Sequence, residues 1–143
     1  MAMLEDPDYK LDEQVGFVLR KAYQRHQTIF SEANPGGLTA MQFSTLYGLA
    51  MGPGPISQNA LGRLVAMDAS TTKGVVARLQ ARGLIEMEKD MVDKRRYMLR
   101  TTEAGRALLT ECVPTMKRIT ADTLAPLSKK EAQTLLALLS RIV

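Results

Sequence analysis

Residues 57–101 read SQNALGRLVAMDASTTKGVVARLQARGLIEMEKDMVDKRRYMLRT. Ser57 stands ahead of Leu61, Leu64 and Val65 as the cap of a short helix. Asp68 caps a second helix over 68–82 that carries Val75, Val76 and Leu79, and Gly83 can adopt the left-handed backbone that stops it. The two helices meet at a tight turn near Ala66-Met67. Beyond Gly83 the helical period is lost. Residues 84–88 and 97–101 read as two strands around a charged loop, 89–96. Helix, tight turn, helix, hairpin is the winged helix-turn-helix order, in which the second helix enters a DNA major groove.

On the N-terminal side, Leu11, Val15, Val18, Leu19, Ala22, Ile29 and Phe30 recur at helical spacing as far as the breaker Asn34-Pro35-Gly36-Gly37, which predicts one long helix. Thr39 with Gln42 makes a capping box for a helix through Phe43, Leu46, Leu49 and Ala50, stopped by Gly52-Pro53-Gly54-Pro55. On the C-terminal side, helix resumes at Glu103 with Ala104, Leu108, Leu109, Cys112, Met116 and Ile119 on one stripe and a kink expected at Pro114. Ser128 with Glu131 makes a second capping box ahead of Leu135, Leu136, Leu138, Leu139 and Ile142. The expected fold is mainly α with a small β-wing: one domain over 1–143, a winged-helix lobe over 39–102, and flanking helices over 10–34 and 103–143. The flanking stripes are wider than one partner helix covers, so a symmetric homodimer is expected to close them.

A length of 143 residues fits one domain, and 45% apolar with 24% charged residues is an ordinary globular composition. No run is long and apolar enough for a membrane span, and residues 1–12 are acidic without the apolar core of a secretory signal, so no membrane partner and a cytoplasmic location are expected. One cysteine and one histidine leave no disulfide framework and too few ligands for a structural zinc site, so no metal and no cofactor are expected. The net charge of +4 is localised. Residues 57–106 hold ten basic side chains against six acidic ones, while the other 93 residues balance at nine against nine. A confined cationic surface is what phosphate contacts require, which makes double-stranded DNA the expected partner.

The start of the second helix offers Ser70, Thr71, Thr72 and Lys73, small or polar side chains that can approach base edges and phosphates, and Gly74 allows closer backbone approach still. The loop Asp90-Met91-Val92-Asp93-Lys94-Arg95-Arg96 carries cations at its tip, where Arg95 can enter a narrow minor groove and Asp93 can orient it through a local ion pair. Arg78, Lys94 and Arg96 are expected to hold phosphates. Two-fold symmetry predicts a palindromic operator with half-site centres on the order of 10 base pairs apart.

Leu79-Gln80-Ala81-Arg82-Gly83-Leu84-Ile85, Asp93-Lys94-Arg95-Arg96 and Thr102-Glu103-Ala104-Gly105 resemble the signature run of the multiple antibiotic resistance regulator (MarR) family, and the likeness extends over nearly the whole chain. It implies a dimeric winged-helix transcription factor, usually a repressor, that binds a palindromic operator and is released by a small, often aromatic, molecule. The family's wing arginine maps onto Arg95 and its aspartate onto Asp93. The sequence departs from the pattern at Lys73-Gly74, where members often show Thr-Arg, and at Thr101, a strand-end position that is usually apolar. In proteins resembling this one the effector pocket lies between the dimerisation helices and the DNA-binding lobe. His26 with Arg20 or Tyr23, over an apolar floor of Met41, Phe43 or Tyr47, would suit a carboxylate or phenolate there. The run from Leu11 to Phe17, with Tyr23-Gln24-Arg25-His26, also resembles the branch that represses catabolism of aromatic or nicotinate-type acids.

Plainer readings stand beside these. His26 lies in register with Val15, Val18, Leu19, Ala22 and Ile29, as a core or interface histidine would. Cys112 sits on an apolar stripe and reads as a small hydrophobe rather than a thiol sensor, and the nine methionines are scattered gap-fillers. An enzyme is disfavoured because the chain has no nucleophile elbow, no phosphate-binding glycine loop and no partner for a triad. The remaining alternative is a winged-helix module that binds protein without an operator.

Overall fold

The computed structural model describes residues 6–143; residues 1–5, where the acidic N-terminal segment begins, lie outside the described residues. In chain order the elements are α1 (Val15–Ala33), α2 (Ala40–Met51), α3 (Gln58–Leu64), α4 (Ala69–Ala81), β1 (Ile85–Lys89), β2 (Tyr97–Thr101), α5 (Glu103–Leu124) and α6 (Lys129–Ser140). They form two compact units: Asn34–Lys117, and the residues up to Ala33 together with Arg118–Val143.

In the first of these units, each short helix starts where a side-chain oxygen meets an orphan amide. Thr39 accepts from the Gln42 amide while Gln42 reaches back to the Thr39 amide, Ser57 accepts from Ala60, and Asp68 accepts from Thr71 at 2.7 Å. Ala66, at φ 57°, turns the chain between α3 and α4, and Gly83, at φ 72°, turns it out of α4. The helices α2, α3 and α4 then bury Leu46, Leu49, Leu61, Val76 and Leu79 together with Leu84, Ile85, Leu99 and Leu109. Fully burying a leucine such as Leu46, Leu61 or Leu79 contributes about 1.5–3 kcal/mol. Close helix approach needs Gly62, where a Cβ would come within 2.8 Å of the Thr72 hydroxyl.

The wing is an antiparallel pair with Ile85 opposite Thr101 and Lys89 opposite Tyr97. Ile56 adds a short third edge by exchanging two backbone hydrogen bonds with Leu99. Thr102 joins the wing to α5: its hydroxyl donates to the Gly83 carbonyl at 2.7 Å and accepts from the Gly105 amide at 3.1 Å. Gly105 is required there because a Cβ would lie 2.2 Å from the Leu84 carbonyl oxygen. Thr101 is 3% exposed, and its hydroxyl has no hydrogen-bond partner among the described residues.

In the other unit, Ser128 and Glu131 form the expected capping box of α6. Arg25 of α1 donates to the carbonyls of Thr123 and Asp122 at the end of α5, at 2.6 and 3.0 Å. Phe30 and Ile119 are buried, but α6 buries no residue at all.

The structure corrects three expected boundaries. The N-terminal helix begins at Val15, because Gln14 is extended and its side-chain amide closes a separate 3-10 turn, Leu11–Glu13, onto the Lys10 carbonyl. The first strand starts at Ile85, since the Leu84 amide still bonds to Leu79 at the end of α4, and it includes Lys89, which had been expected in the loop. Pro114, where a kink is expected, lies inside the single helical element α5.

Candidate nucleic-acid interface and ligand cavity

One face of α4 packs and the opposite face is open. Thr72, Val75, Val76 and Leu79 are buried, while Ser70, Lys73, Gly74, Ala77 and Arg78 are exposed. These exposed positions fall three and four residues apart, so they share a stripe. A Cβ at Gly74 would touch nothing within 4 Å, which leaves the backbone there open to approach. Thr71 is half-buried beside the cap, and its amide and hydroxyl hold the Asp68 carboxyl below the usual aspartate range. Thr72, expected among the contacting residues, is instead a packing residue. It is 1% exposed, lies against Gly62, and its hydroxyl donates to the Asp68 carbonyl at 2.7 Å.

The wing tip is an ordered turn. Asp90 donates its amide to the Arg96 carbonyl and accepts from the Val92 amide, and the Arg96 amide returns to the Asp93 carbonyl. Asp93 takes the Arg95 Nε at 3.1 Å, its Nη2 at 3.4 Å and its amide at 3.1 Å. The Arg95 guanidinium, followed by its amide, lowers the Asp93 pKa, so the carboxylate stays ionised as the arginine's anchor. The Arg95 side chain is nonetheless 91% exposed, and Lys94 and Arg96 beside it are exposed as well.

Counting cations overstates this surface. Arg100 pairs across the wing with Glu86, which lies directly opposite it, and reaches Glu88 at 3.9 Å. Arg106 donates to the Thr101 carbonyl and Arg82 to the Gly36 carbonyl. These three of the ten basic residues of the central block are engaged inside the lobe.

A cavity of about 300 Å³ opens between α1, the end of α5 and α6, lined by Leu19, Ala22, Tyr23, His26, Thr120, Thr123, Leu124, Leu135, Leu136 and Leu139. Its polar end is His26, whose Nδ1 lies 2.9 Å from the Thr123 hydroxyl, with the Tyr23 ring 6.2 Å away. Tyr23 and His26 are therefore on one wall, whereas the Arg20 guanidinium lies over the Phe17 ring at 5.6 Å. Phe43 and Tyr47 stack at 5.8 Å and line a separate groove of about 470 Å³ with Met51, Leu64 and Val65, while Met41 is 52% exposed. Sequence reasoning missed Thr120, Thr123 and the α6 leucines, because their only signal is a helical stripe with no partner named. Cys112 is 3% exposed, and burial, followed by Glu111, pushes its thiol pKa up, which fits packing rather than sensing.

Among the described residues, no helix is long and apolar enough to cross a membrane, and no group of three or more acidic, histidine or cysteine side chains could hold a metal ion.

Residues 36–96 match the model of the MarR family. The HTH-type transcriptional repressor NicR of Pseudomonas putida is 39% identical over 143 residues, covering 99% of this chain and 90% of that protein. The structure of a probable transcriptional regulator from Pseudomonas aeruginosa is 46% identical, with a TM-score of 0.89 over 94% of this chain and 100% of that one. That of Bordetella bronchiseptica BpsR, whose DNA binding is regulated by 6-hydroxynicotinic acid, is 38% identical with a TM-score of 0.86, covering 94% and 96% of the two chains.

Proposed function

Since the chain belongs to the MarR family of transcriptional regulators, we propose that it is a homodimeric repressor that binds a palindromic operator and is released by a small aromatic acid of the hydroxynicotinate type. Residues 39–102 form the DNA-binding lobe, and 10–34 with 103–143 form the dimerisation helices. The observation that carries the reading is the Asp93–Arg95 clamp, which presents an exposed guanidinium on an ordered wing turn. Ser70, Thr71 and Lys73 on α4 read or position a major-groove half-site, Arg95 enters the flanking minor groove, and Arg78, Lys94 and Arg96 hold phosphates.

The dimer is supported by α6, whose Leu135, Leu136 and Leu138 are 37–51% exposed although the helix is amphipathic, and by Ile142 just beyond it, which is 65% exposed. Apolar surface of that extent on a monomer marks a partner site. For the effector, a cavity of about 300 Å³ suits a single-ring acid, with apolar walls for the ring and His26, Tyr23 and Thr123 for its polar groups. Release requires that the ligand favour a state whose two recognition helices no longer match the grooves.

Fluorescence anisotropy with a duplex carrying the inverted repeat nearest the protein's own gene tests both halves. Binding is expected to weaken steeply with salt and to weaken further on addition of 6-hydroxynicotinic acid in the wild type, with a smaller response in His26→Ala. Absence of binding to any duplex in dilute buffer would overturn the regulator reading. Equal ligand responses in both proteins would remove His26 from the effector site.

A further inference from the structure

We infer that Arg82 is a positioning residue for the recognition helix, and that its charge serves the fold of the DNA-reading surface rather than a phosphate. This rests on the DNA-binding reading given above. Arg82 is the C-cap of α4, one residue before Gly83. Composition alone counts it among the cations of a nucleic-acid surface. In the structure its Nη2 donates to the Gly36 carbonyl at 2.9 Å and its Nη1 to the Gly37 carbonyl at 3.4 Å, across 46 and 45 residues of sequence.

The acceptor is unusual. Asn34, Gly36 and Gly37 all have positive φ, at 45°, 61° and 68°, around the short 3-10 turn Pro35–Gly37. The carbonyls at the end of such a turn have no helical partner, and a guanidinium fork satisfies two at once. The turn cannot retreat inward, because a Cβ on Gly36 would already lie 2.8 Å from the Cys112 Sγ and 2.9 Å from Leu108 Cδ1. The far end of α4 is thus tied to a braced turn, while its near end is fixed by the Asp68 cap. A helix held at both ends presents Ser70, Lys73 and Arg78 in one register, which is what matching a groove demands.

Arg82→Lys separates this role from a phosphate contact, since lysine keeps the charge but replaces a planar fork by a point ammonium. We expect Arg82→Lys to bind operator duplex at least about threefold more weakly than wild type, and Arg82→Ala to do so with an unchanged slope of log K against log salt. Amide exchange measured without DNA is expected to speed up in both variants at residues 34–38 and 79–84 only. Wild-type affinity in Arg82→Lys overturns the inference, as does a slope lowered by about 0.9 in Arg82→Ala, which is the mark of a lost phosphate contact. Unchanged exchange at those segments, or faster exchange throughout the chain, overturns it too. If the wild-type protein binds no duplex, the regulator reading fails on its own, and the exchange pattern still decides whether the clamp exists.

Discussion

Replacing Thr101 by valine should stabilise the protein. The residue ends β2, is 3% exposed, and buries a hydroxyl with no hydrogen-bond partner among the described residues. In the unfolded chain that hydroxyl bonds to water, so folding leaves it at a penalty of about 1–3 kcal/mol. Valine has nearly the same shape, removes the penalty and buries a methyl in place of the oxygen, which adds up to about 0.8 kcal/mol. Tight packing opposes part of this gain, because the Thr101 Cγ2 already lies within 2.7 Å of where a Cβ on Gly105 would stand. A net gain of about 1–2 kcal/mol is expected, or roughly 3–8 °C in Tm for a chain of this size. Thr101→Ser supplies the opposite control: it keeps the orphan oxygen and deletes the packed methyl, so it should cost about 1 kcal/mol. Thermal and urea unfolding of the three proteins should rank valine above threonine above serine. A valine variant no more stable than wild type would show that the hydroxyl has a partner, and the reasoning would fail.

Arg95→Ala should weaken operator binding about tenfold and relax preference at the flanks, whereas Lys94→Ala should weaken all duplexes alike and lower the salt slope by about 0.9, as anisotropy titrations over a salt series would show. Leu138→Asp, on the uncovered face of α6, should give a monomer in analytical ultracentrifugation and abolish tight operator binding while leaving the helical circular dichroism intact. The Asp68 cap has a folded pKa depressed below the usual value of 3.8, chiefly by the Thr71 amide. Its stabilisation is therefore fully present above that value and is lost as pH falls through the lower folded pKa. Urea midpoints of wild type and Asp68→Ala should differ by a constant amount near neutrality and converge below about pH 4.

Four helix starts were legible because each is a local event. Thr39, Ser57, Asp68 and Ser128 each bond an amide three residues ahead, so the relevant partners are neighbours in the sequence. The wing clamp was legible for the same reason, since Asp93 and Arg95 are two residues apart. Thr72 was misread because its burial depends on Gly62 coming close from another helix, and no spacing within α4 reports that approach. Arg82 and Arg100 looked like surface cations because their partners lie 46 and 14 residues away. Tyr23 and His26 could be placed on one helical stripe, but the walls that Thr123 and Leu135 add depend on how three separate helices pack.

The order of elements, the caps, the breakers and the chemistry of the wing were thus determined by the sequence alone, because they rest on contacts within a turn or two of chain and on the periods of helix and strand. Which face of α4 is open, which cations are already bound to carbonyls and carboxylates, where a cavity opens beside His26 and why Gly105 tolerates no side chain were decided only in the tertiary structure. The physical reason is that burial and pairing depend on distances between segments far apart in the chain, and each such distance is set by the packing of the whole unit.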